Sequence, residues 1–495
     1  MAAISSAFDA GNCNVVDCQK PDNIQIELRE EPYTPYDKIA HKQWFHFRVS
    51  NVRGQALTIR IVNAGKASFP ECWPGYKTRA SYDCQKWFKV ETSYDADQGE
   101  LIFKLTSERD SVWFAYWAPY SFSRHQDFVA SLQQSRPELI QLESVGQSLD
   151  GRDIDVLRVG DGSPSKKVVW VVSRQHPGES MAEWLAEGML RRLADPHDLL
   201  VLRLLKMATV YVVPNINPDG CVRGHHRTNA KGANLNREWD KATLDYSPEA
   251  GGLHAQQFNL LAIAVIVHPG HVYYSRLGAG PCMFGGMIGS GQEGVVVHVL
   301  RKMEETGCHF FIDVHGDEEV TYNFMAGQEG TPSFNPQEEA EEDLFTQVLM
   351  RVSPDFKPTN FYGVDAPNAA EMGEANNFVG EKFGCLSVTL EQPFKDVDSH
   401  EDPVYGWSPE RAMHFGADCL MAIYQTLSNT GDKVVGKGPK QGAATTGAPA
   451  AVGAAAVDGQ AAAAAAGDGG GQGGAAGKRG TEAQGGQGPK RVKEQ

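Results

Sequence analysis

Four short apolar runs recur along the second quarter to the last third of the chain: VVWVVS at 168–173, ATVYVV at 208–213, HFFIDV at 309–314 and CLSVTL at 385–390. Runs of this length, rich in β-branched residues and bounded by turn signals, read as strands buried on both faces. Between them, 180–194, 295–306 and 373–383 carry apolar residues at helical spacing. The first of these opens with Ser180 and Glu183 in capping-box spacing and gathers Met181, Leu185, Met189 and Leu193 on one face. Gly307 and Gly384 stand where helix ends are expected, each just before a strand. Strand and helix in alternation over 123–428 predict an α/β domain with a mixed central sheet flanked by helices.

Residues 1–122 read differently. Apolar and polar residues alternate at Phe45, Phe47 and Val49, at Leu57, Ile59 and Ile61, at Leu101, Phe103 and Leu105, and through VWFAYW at 112–117. Period-two patterning with turn residues such as Arg53-Gly54-Gln55 predicts a small all-β sandwich. Trp44, Trp73, Trp87, Trp113 and Trp117 are expected in its core. At the other end, 429–495 is rich in glycine and alanine and holds no aromatic residue, a composition that cannot offset ordering entropy and predicts a disordered tail. Residues 249–292 have no clear period and interrupt a strand–helix connection, which compact domains rarely tolerate. They are an atypical insertion or a translation artefact such as a retained intron, and His254, His268 and His271 are set aside as ligands.

Charge narrows the function. Lys and Arg number 46 against 62 Asp and Glu, a formal net charge of −16. A surface of that sign repels nucleic acid and anionic membrane. The most apolar stretch, LLAIAVIV at 260–267, is far shorter than the roughly 18–20 residues a bilayer span needs. Nine cysteines lie scattered with no C-x-x-C, and the N-terminus has no basic flank before an apolar run, so a cytoplasmic protein is expected. Lys478-Arg479 and Lys490-Arg491-Val492-Lys493 have the spacing of a two-part nuclear import signal, or are a solvated basic end.

Three predicted strands end in reactive residues. The first runs into Arg174-Gln175-His176-Pro177-Gly178-Glu179, the third ends at Asp313-Val314-His315-Gly316, and the fourth ends at Glu391. Carboxyl ends of strands in an open α/β sheet line one crevice, so these ends should converge. His176, Glu179 and His315 make the two-imidazole, one-carboxylate set of a catalytic zinc (Zn2+), with a position left for water. Such an ion lowers the water's pKa towards about 7 and polarises a carbonyl, and Glu391 is the candidate base. After the second strand, PNINPDGCVRGHHRTNAKGANLNREW at 214–239 suits anion recognition. Arg227 could steady a developing oxyanion, and Asn236 with Arg237 could hold a carboxylate.

Taken together, H-x-x-E at 176–179, N-P-D-G at 217–220, N-R at 236–237, D-V-H-G at 313–316 and T-L-E at 389–391 stand in the order of zinc metallocarboxypeptidases. HPGES, GANLNREW, DVHGDEE and FAYWAPYS at 114–121 resemble the cytosolic carboxypeptidase branch, which also has an N-terminal β-sandwich. The resemblance implies His176, Glu179 and His315 as ligands of one zinc ion, Glu391 as general base and Arg227 as oxyanion stabiliser. It implies Asn236 and Arg237 as the clamp on the substrate's terminal carboxylate, and Tyr362 as the tyrosine that closes over substrate. Peptides or protein C-terminal tails would be the substrates, with glutamate removal from tails such as tubulin's associated with this branch. Asn234 stands where secreted relatives carry an acid behind a zinc histidine, and a neutral amide raises that histidine's basicity less. An amide hydrolase acting on acyl-amino acids shares the ligand set, and an inactive binding module would result if 249–292 blocked the cleft.

Overall fold

The structure, a computed structural model, describes residues 2–33, 41–241, 265–268, 271–274, 294–399 and 402–429. Alternation over the first 115 residues builds ten strands. They are β1 (Ala3–Ser5), β2 (Asn14–Asp17), β3 (Ile24–Glu27), β4 (His46–Ser50) and β5 (Ala56–Ile61), then β6 (Arg79–Ser81), β7 (Phe88–Lys89), β8 (Glu91–Asp95), β9 (Glu100–Thr106) and β10 (Ser111–Ala115). Two five-stranded sheets result, ordered β1-β4-β10-β6-β7 and β2-β3-β5-β9-β8. Leu57, Ile59, Ile61, Leu101 and Phe103 are all buried, and Phe103 stacks on Phe45 with ring centroids 6.0 Å apart. Four of the five tryptophans are core. Trp113 is half-buried, and the Arg48 guanidinium covers its ring at 5.7 Å.

Next comes helix α1 (Phe122–Ser135), capped by Ser121, whose hydroxyl accepts from the Arg124 amide. Strands β11 (Ile140–Gln147) and β12 (Asp153–Val159) form an antiparallel pair. The chain continues through β13 (Lys167–Ser173), α2 (Met181–Leu193), α3 (Leu199–Met207), β14 (Ala208–Val213) and α4 (Pro218–Arg223). Then come a short antiparallel pair, β15 (Val265–His268) with β16 (His271–Tyr274), and α5 (Val295–Thr306). Beyond these lie β17 (Phe310–Asp317), β18 (Phe324–Ala326), α6 (Pro336–Val352), α7 (Ala375–Phe383), β19 (Leu386–Pro393) and α8 (Pro409–Asn429). Gly307 and Gly384 end α5 and α7 as expected, Gly384 in the left-handed region at φ 63°. Apart from β15 and β16, the 249–292 segment lies outside the described residues, as do 430–495 and the basic clusters in them. Among the described residues no helix is long and apolar enough to cross a membrane.

Seven strands form one mixed sheet, ordered β11-β12-β14-β13-β17-β19-β18. The inner four, β14, β13, β17 and β19, run parallel, and the outer ones pair antiparallel. After β13 the chain moves outward to β14, then returns to place β17 on the other side of β13. That reversal opens a crevice at the carboxyl ends of β13 and β17. Under the sheet, α2 and α8 meet backbone to backbone. A Cβ on Gly188 would stand 2.0 Å from the Met413 carbonyl, and one on Gly416 would stand 2.0 Å from that of Leu185.

One local expectation fails. Ser180 and Glu183 form no capping box: the Ser180 hydroxyl donates to the Ala118 carbonyl at 2.9 Å, and no side chain caps α2. Glu183 instead accepts from Arg174 at 2.6 Å and Asn215 at 3.0 Å, and faces His125 Nδ1 at 2.8 Å. The start of α2 is buried, so its polar groups take tertiary partners; a capping box forms instead on α6, between exposed Asn335 and buried Glu338.

His125 is buried with a carboxylate on each ring nitrogen. Burial opposes its charge, yet Asp155 at 3.1 Å and Glu183 carry its pKa up to about 9. The folded value lies above the unfolded one, so its stabilisation is full below about pH 6.5 and disappears as pH rises through about 9. The unfolding free energy is therefore expected to fall by about 3 kcal/mol between pH 7 and 9.5, read as a lower melting temperature. In His125→Asn that pH dependence should be largely gone; a wild-type slope in the variant would contradict the assignment.

Candidate metal centre and active site

The turn leaving β13 is set by Arg174, a fully buried residue at φ 66°. Its guanidinium donates to the Pro177 carbonyl at 2.8 Å and to Glu183 at 2.6 Å, which holds a left-handed backbone that a non-glycine residue otherwise avoids. That turn presents His176 and Glu179 to the crevice, where His315 arrives from the end of β17. His176 Nδ1 and His315 Nδ1 are 3.2 Å apart. Glu179 Oε1 lies 2.8 Å from the first and Glu179 Oε2 2.8 Å from the second. All three residues are buried, and each is at most 5% exposed.

The far side of each ring decides what the near side can do. His315 Nε2 lies 2.8 Å from Asp313 Oδ2, and His176 Nε2 lies 2.9 Å from Asn234 Oδ1. Both partners are acceptors, so each neutral ring carries its proton on Nε2 and turns a bare lone pair inward at Nδ1. Two lone pairs and a carboxylate converging on one point repel unless a cation stands between them. Ligand atoms about 2.0–2.2 Å from a tetrahedral ion stand about 3.3 Å apart, so these nitrogens are spaced as zinc ligands are. The donor set and the geometry fit zinc.

The charges agree. Burial pulls His176 down to about 4, helped by the nearby Arg227 cation. Burial also opposes charge on His315, but Asp313 and Glu179 outweigh it and raise that ring well above its ordinary value. Burial works against ionising Glu179, yet the two imidazoles hold its carboxyl well below the usual range.

Glu391 sits beside this cluster through sheet register. His315 and Glu391 are direct partners in the parallel β17–β19 ladder. Its Oε1 accepts from the Tyr362 hydroxyl at 2.9 Å, while its Oε2 is buried with no hydrogen-bond partner among the described residues. Burial, with the charges of Glu179 and Asp317, holds its carboxyl well above the usual range against the opposing pull of His315 and the Tyr362 hydroxyl. Tyr362 belongs to the rim: it is 44% exposed, and its hydroxyl also lies 3.0 Å from Asp317 Oδ2.

The remaining expected residues surround the cluster on different partners. The Arg227 guanidinium makes no hydrogen bond among the described residues. Asn236 is buried, and its Oδ1 accepts from the Ala375 amide at 2.8 Å and from Gln175 at 3.2 Å. Arg237 lies 3.2 Å from Glu371 and 3.3 Å from Glu374, and donates to the Asn236 carbonyl at 2.6 Å. The two members of the expected fork thus stand next to each other, with separate contacts.

Asp313 and Gln175 did not figure among the expected site residues. Gln175 donates to Asp313 at 2.7 Å and accepts from the Trp239 indole at 2.8 Å, which backs His315 with a buried chain. Asp313 was findable, because residues two apart on a strand share a face. Gln175 carries no such signal.

A buried His-Glu-His cluster beside a further buried carboxylate, at the switch point of a mixed sheet, defines a metal-dependent hydrolase. Comparisons with known proteins are more specific. Residues 4–117 match the cytosolic carboxypeptidase N-terminal domain, and 125–407 match zinc carboxypeptidase. The chain belongs to the zinc carboxypeptidase family and is a zinc-dependent peptidase. An uncharacterized protein of Zymomonas mobilis is 36% identical over 86% of this chain and 96% of its own. Cytosolic carboxypeptidase 6 of Mus musculus is 25% identical over 79% of this chain and 66% of its own. Among solved structures, a metallo-carboxypeptidase from Burkholderia cenocepacia is similar at TM-score 0.72 and 34% identity, over 86% of this chain and 99% of its own. A metallo-carboxypeptidase from Pseudomonas aeruginosa, in complex with (2-guanidinoethylmercapto)succinic acid, aligns at TM-score 0.72 and 35% identity, over 86% of this chain and 100% of its own.

If Asp313 fixes the proton on His315 Nε2, Asp313→Asn should weaken zinc retention about 10–100-fold. Chelator competition measures this, and His315→Ala should lose the metal altogether. Unchanged affinity in Asp313→Asn would contradict the tautomer argument.

Proposed function

We propose that His176, Glu179 and His315 hold one zinc ion in an exopeptidase that removes C-terminal residues from peptides or protein tails, with Glu391 as general base. The observation that carries this reading is the buried Glu391 Oε2, which has no hydrogen-bond partner among the described residues and lies directly across the β17–β19 ladder from His315. Bound zinc polarises the scissile carbonyl and lowers the pKa of water. Glu391 takes the proton from the attacking water at Oε2 and passes it to the departing amine nitrogen. A raised carboxyl suits that shuttle, since a base works best with a pKa near the working pH. Arg227 places a fixed positive charge where the carbonyl oxygen becomes negative.

Asn236 and Arg237 read the free terminal carboxylate, and Tyr362 covers it from the rim. Binding of a succinic acid derivative by the Pseudomonas aeruginosa relative supports a carboxylate-reading site. In this role the substrate carboxylate competes with Glu371 and Glu374 for Arg237. The finer reading, glutamate removal from acidic tails of the tubulin type, is supported by kinship with cytosolic carboxypeptidases, as is residence in the cytosol. Those two carboxylates beside the clamp weigh against a strong preference for an acidic terminal side chain.

Glu391→Gln should keep zinc and lose about 10²–10⁴-fold in kcat. Full activity in that variant would remove Glu391 as base. In a panel of peptides varied at the last residue, each free or amidated at the C-terminus, only the free forms should be cleaved. Equal cleavage of blocked peptides would favour the amide hydrolase reading. Among the free forms, the rate for terminal glutamate tests the finer proposal.

A further inference from the structure

The sandwich sends one acidic side chain into the catalytic half. Glu31 follows β3 and is 4% exposed. Its Oε1 accepts from the backbone amides of His226 at 2.6 Å and Arg227 at 2.9 Å, and its Oε2 accepts from the Thr228 amide at 2.8 Å and hydroxyl at 2.5 Å. Three successive amides and a hydroxyl around one carboxylate make a nest, in which a buried charge is satisfied and the backbone's path is fixed by it. Burial opposes ionisation there, but His225, the Thr228 hydroxyl and His226 hold the carboxyl below its ordinary range.

The loop so held touches the metal-binding turn. The His226 carbonyl accepts from the Gly178 amide at 2.8 Å, between His176 and Glu179 in sequence. Gly178 leaves no space there, since a Cβ on it would lie 2.4 Å from His226 Nδ1. On the opposite edge of the imidazole, Nε2 lies 2.7 Å from Glu318 Oε1. The Arg227 side chain has no hydrogen bond of its own among the described residues, so the hydrogen bond that holds this residue is the one from its backbone amide to Glu31. Its charge already reaches His176, whose protonation it disfavours.

We infer that Glu31 is a positioning residue for Arg227: the sandwich supplies the anion that folds 226–228 and aims the guanidinium at the reacting carbonyl. This rests on the assignment of Arg227 as oxyanion stabiliser. It gives the N-terminal sandwich a part in the reaction rate, separate from any contribution to stability.

The test uses the full chain loaded with zinc, and the peptide cleaved fastest in the panel above. Glu31→Ala should lower kcat about 10²-fold, the range seen when one oxyanion donor is lost, with KM within about threefold and zinc content unchanged. Glu31→Gln, which keeps one acceptor oxygen, should recover about tenfold of that loss. In an Arg227→Ala background, Glu31→Ala should cost less than about threefold more, because both changes remove one function. An equally large loss in the two backgrounds, or full kcat in Glu31→Ala, overturns the inference and leaves Arg227's role standing. Full activity in Arg227→Ala overturns both. If Glu31→Ala does not fold, Thr228→Val removes one donor to Glu31 and carries the same two-background comparison.

Discussion

Two imidazole nitrogens 3.2 Å apart, with a carboxylate across from both, converge on one point as the ligands of a cation do. Much of the catalytic half serves to keep that arrangement. The parallel pairing of β13 with β17 brings the two histidine-bearing ends together, and the reversal of strand order at β13 keeps other strands out of the gap. Behind the rings, Asp313 and Asn234 accept at Nε2, so that Nδ1 of each ring is the atom that faces the ligand position. A site built this way is costly without its ion, which is how a protein obtains affinity from preorganisation.

The sequence made some of this legible and hid the rest, for physical reasons. Strands β13, β14, β17 and β19 are buried on both faces, so their apolar runs are continuous and stand out. β11 and β12 carry interspersed polar residues on half-buried surfaces, and α1, α3, α4, α6 and α8 were not among the expected helices, although α3 and α8 are no less amphipathic than α2. His176, Glu179, His315 and Glu391 could be found because strand ends at a switch point have a known fate. Glu31 could not: it acts across 195 residues of chain, and no local pattern marks an acid whose partners are distant backbone amides. The Ser180–Glu183 pair shows the converse, a local signal overridden by a buried tertiary network around Arg174 and His125.

The sandwich and the α/β layer are joined by more than one kind of contact. Tyr116, just past β10, stacks on Phe394 beyond the end of β19, with ring centroids 4.7 Å apart. Buried Arg79 of β6 pairs with Asp396 at 2.9 Å and donates to the Trp407 carbonyl at 3.3 Å. Ala10 and Asn12 bond the backbone of Val222 and Gly224, at the edge of the loop that Glu31 grips. The joint thus ties the sandwich both to the segment just past β19 and to the end of α4, beside the loop that Glu31 grips.

The His315–Glu391 pairing across β17 and β19 has an evolutionary consequence. The distance from metal ligand to base is written into interstrand hydrogen bonds, which have a fixed pitch, and owes nothing to the length of any connecting segment. Lineages can therefore lengthen, shorten or replace the segments joining these strands, reshaping what reaches the crevice, while the reacting groups keep their spacing. Chemistry is inherited through the ladder, and selectivity is free to drift around it.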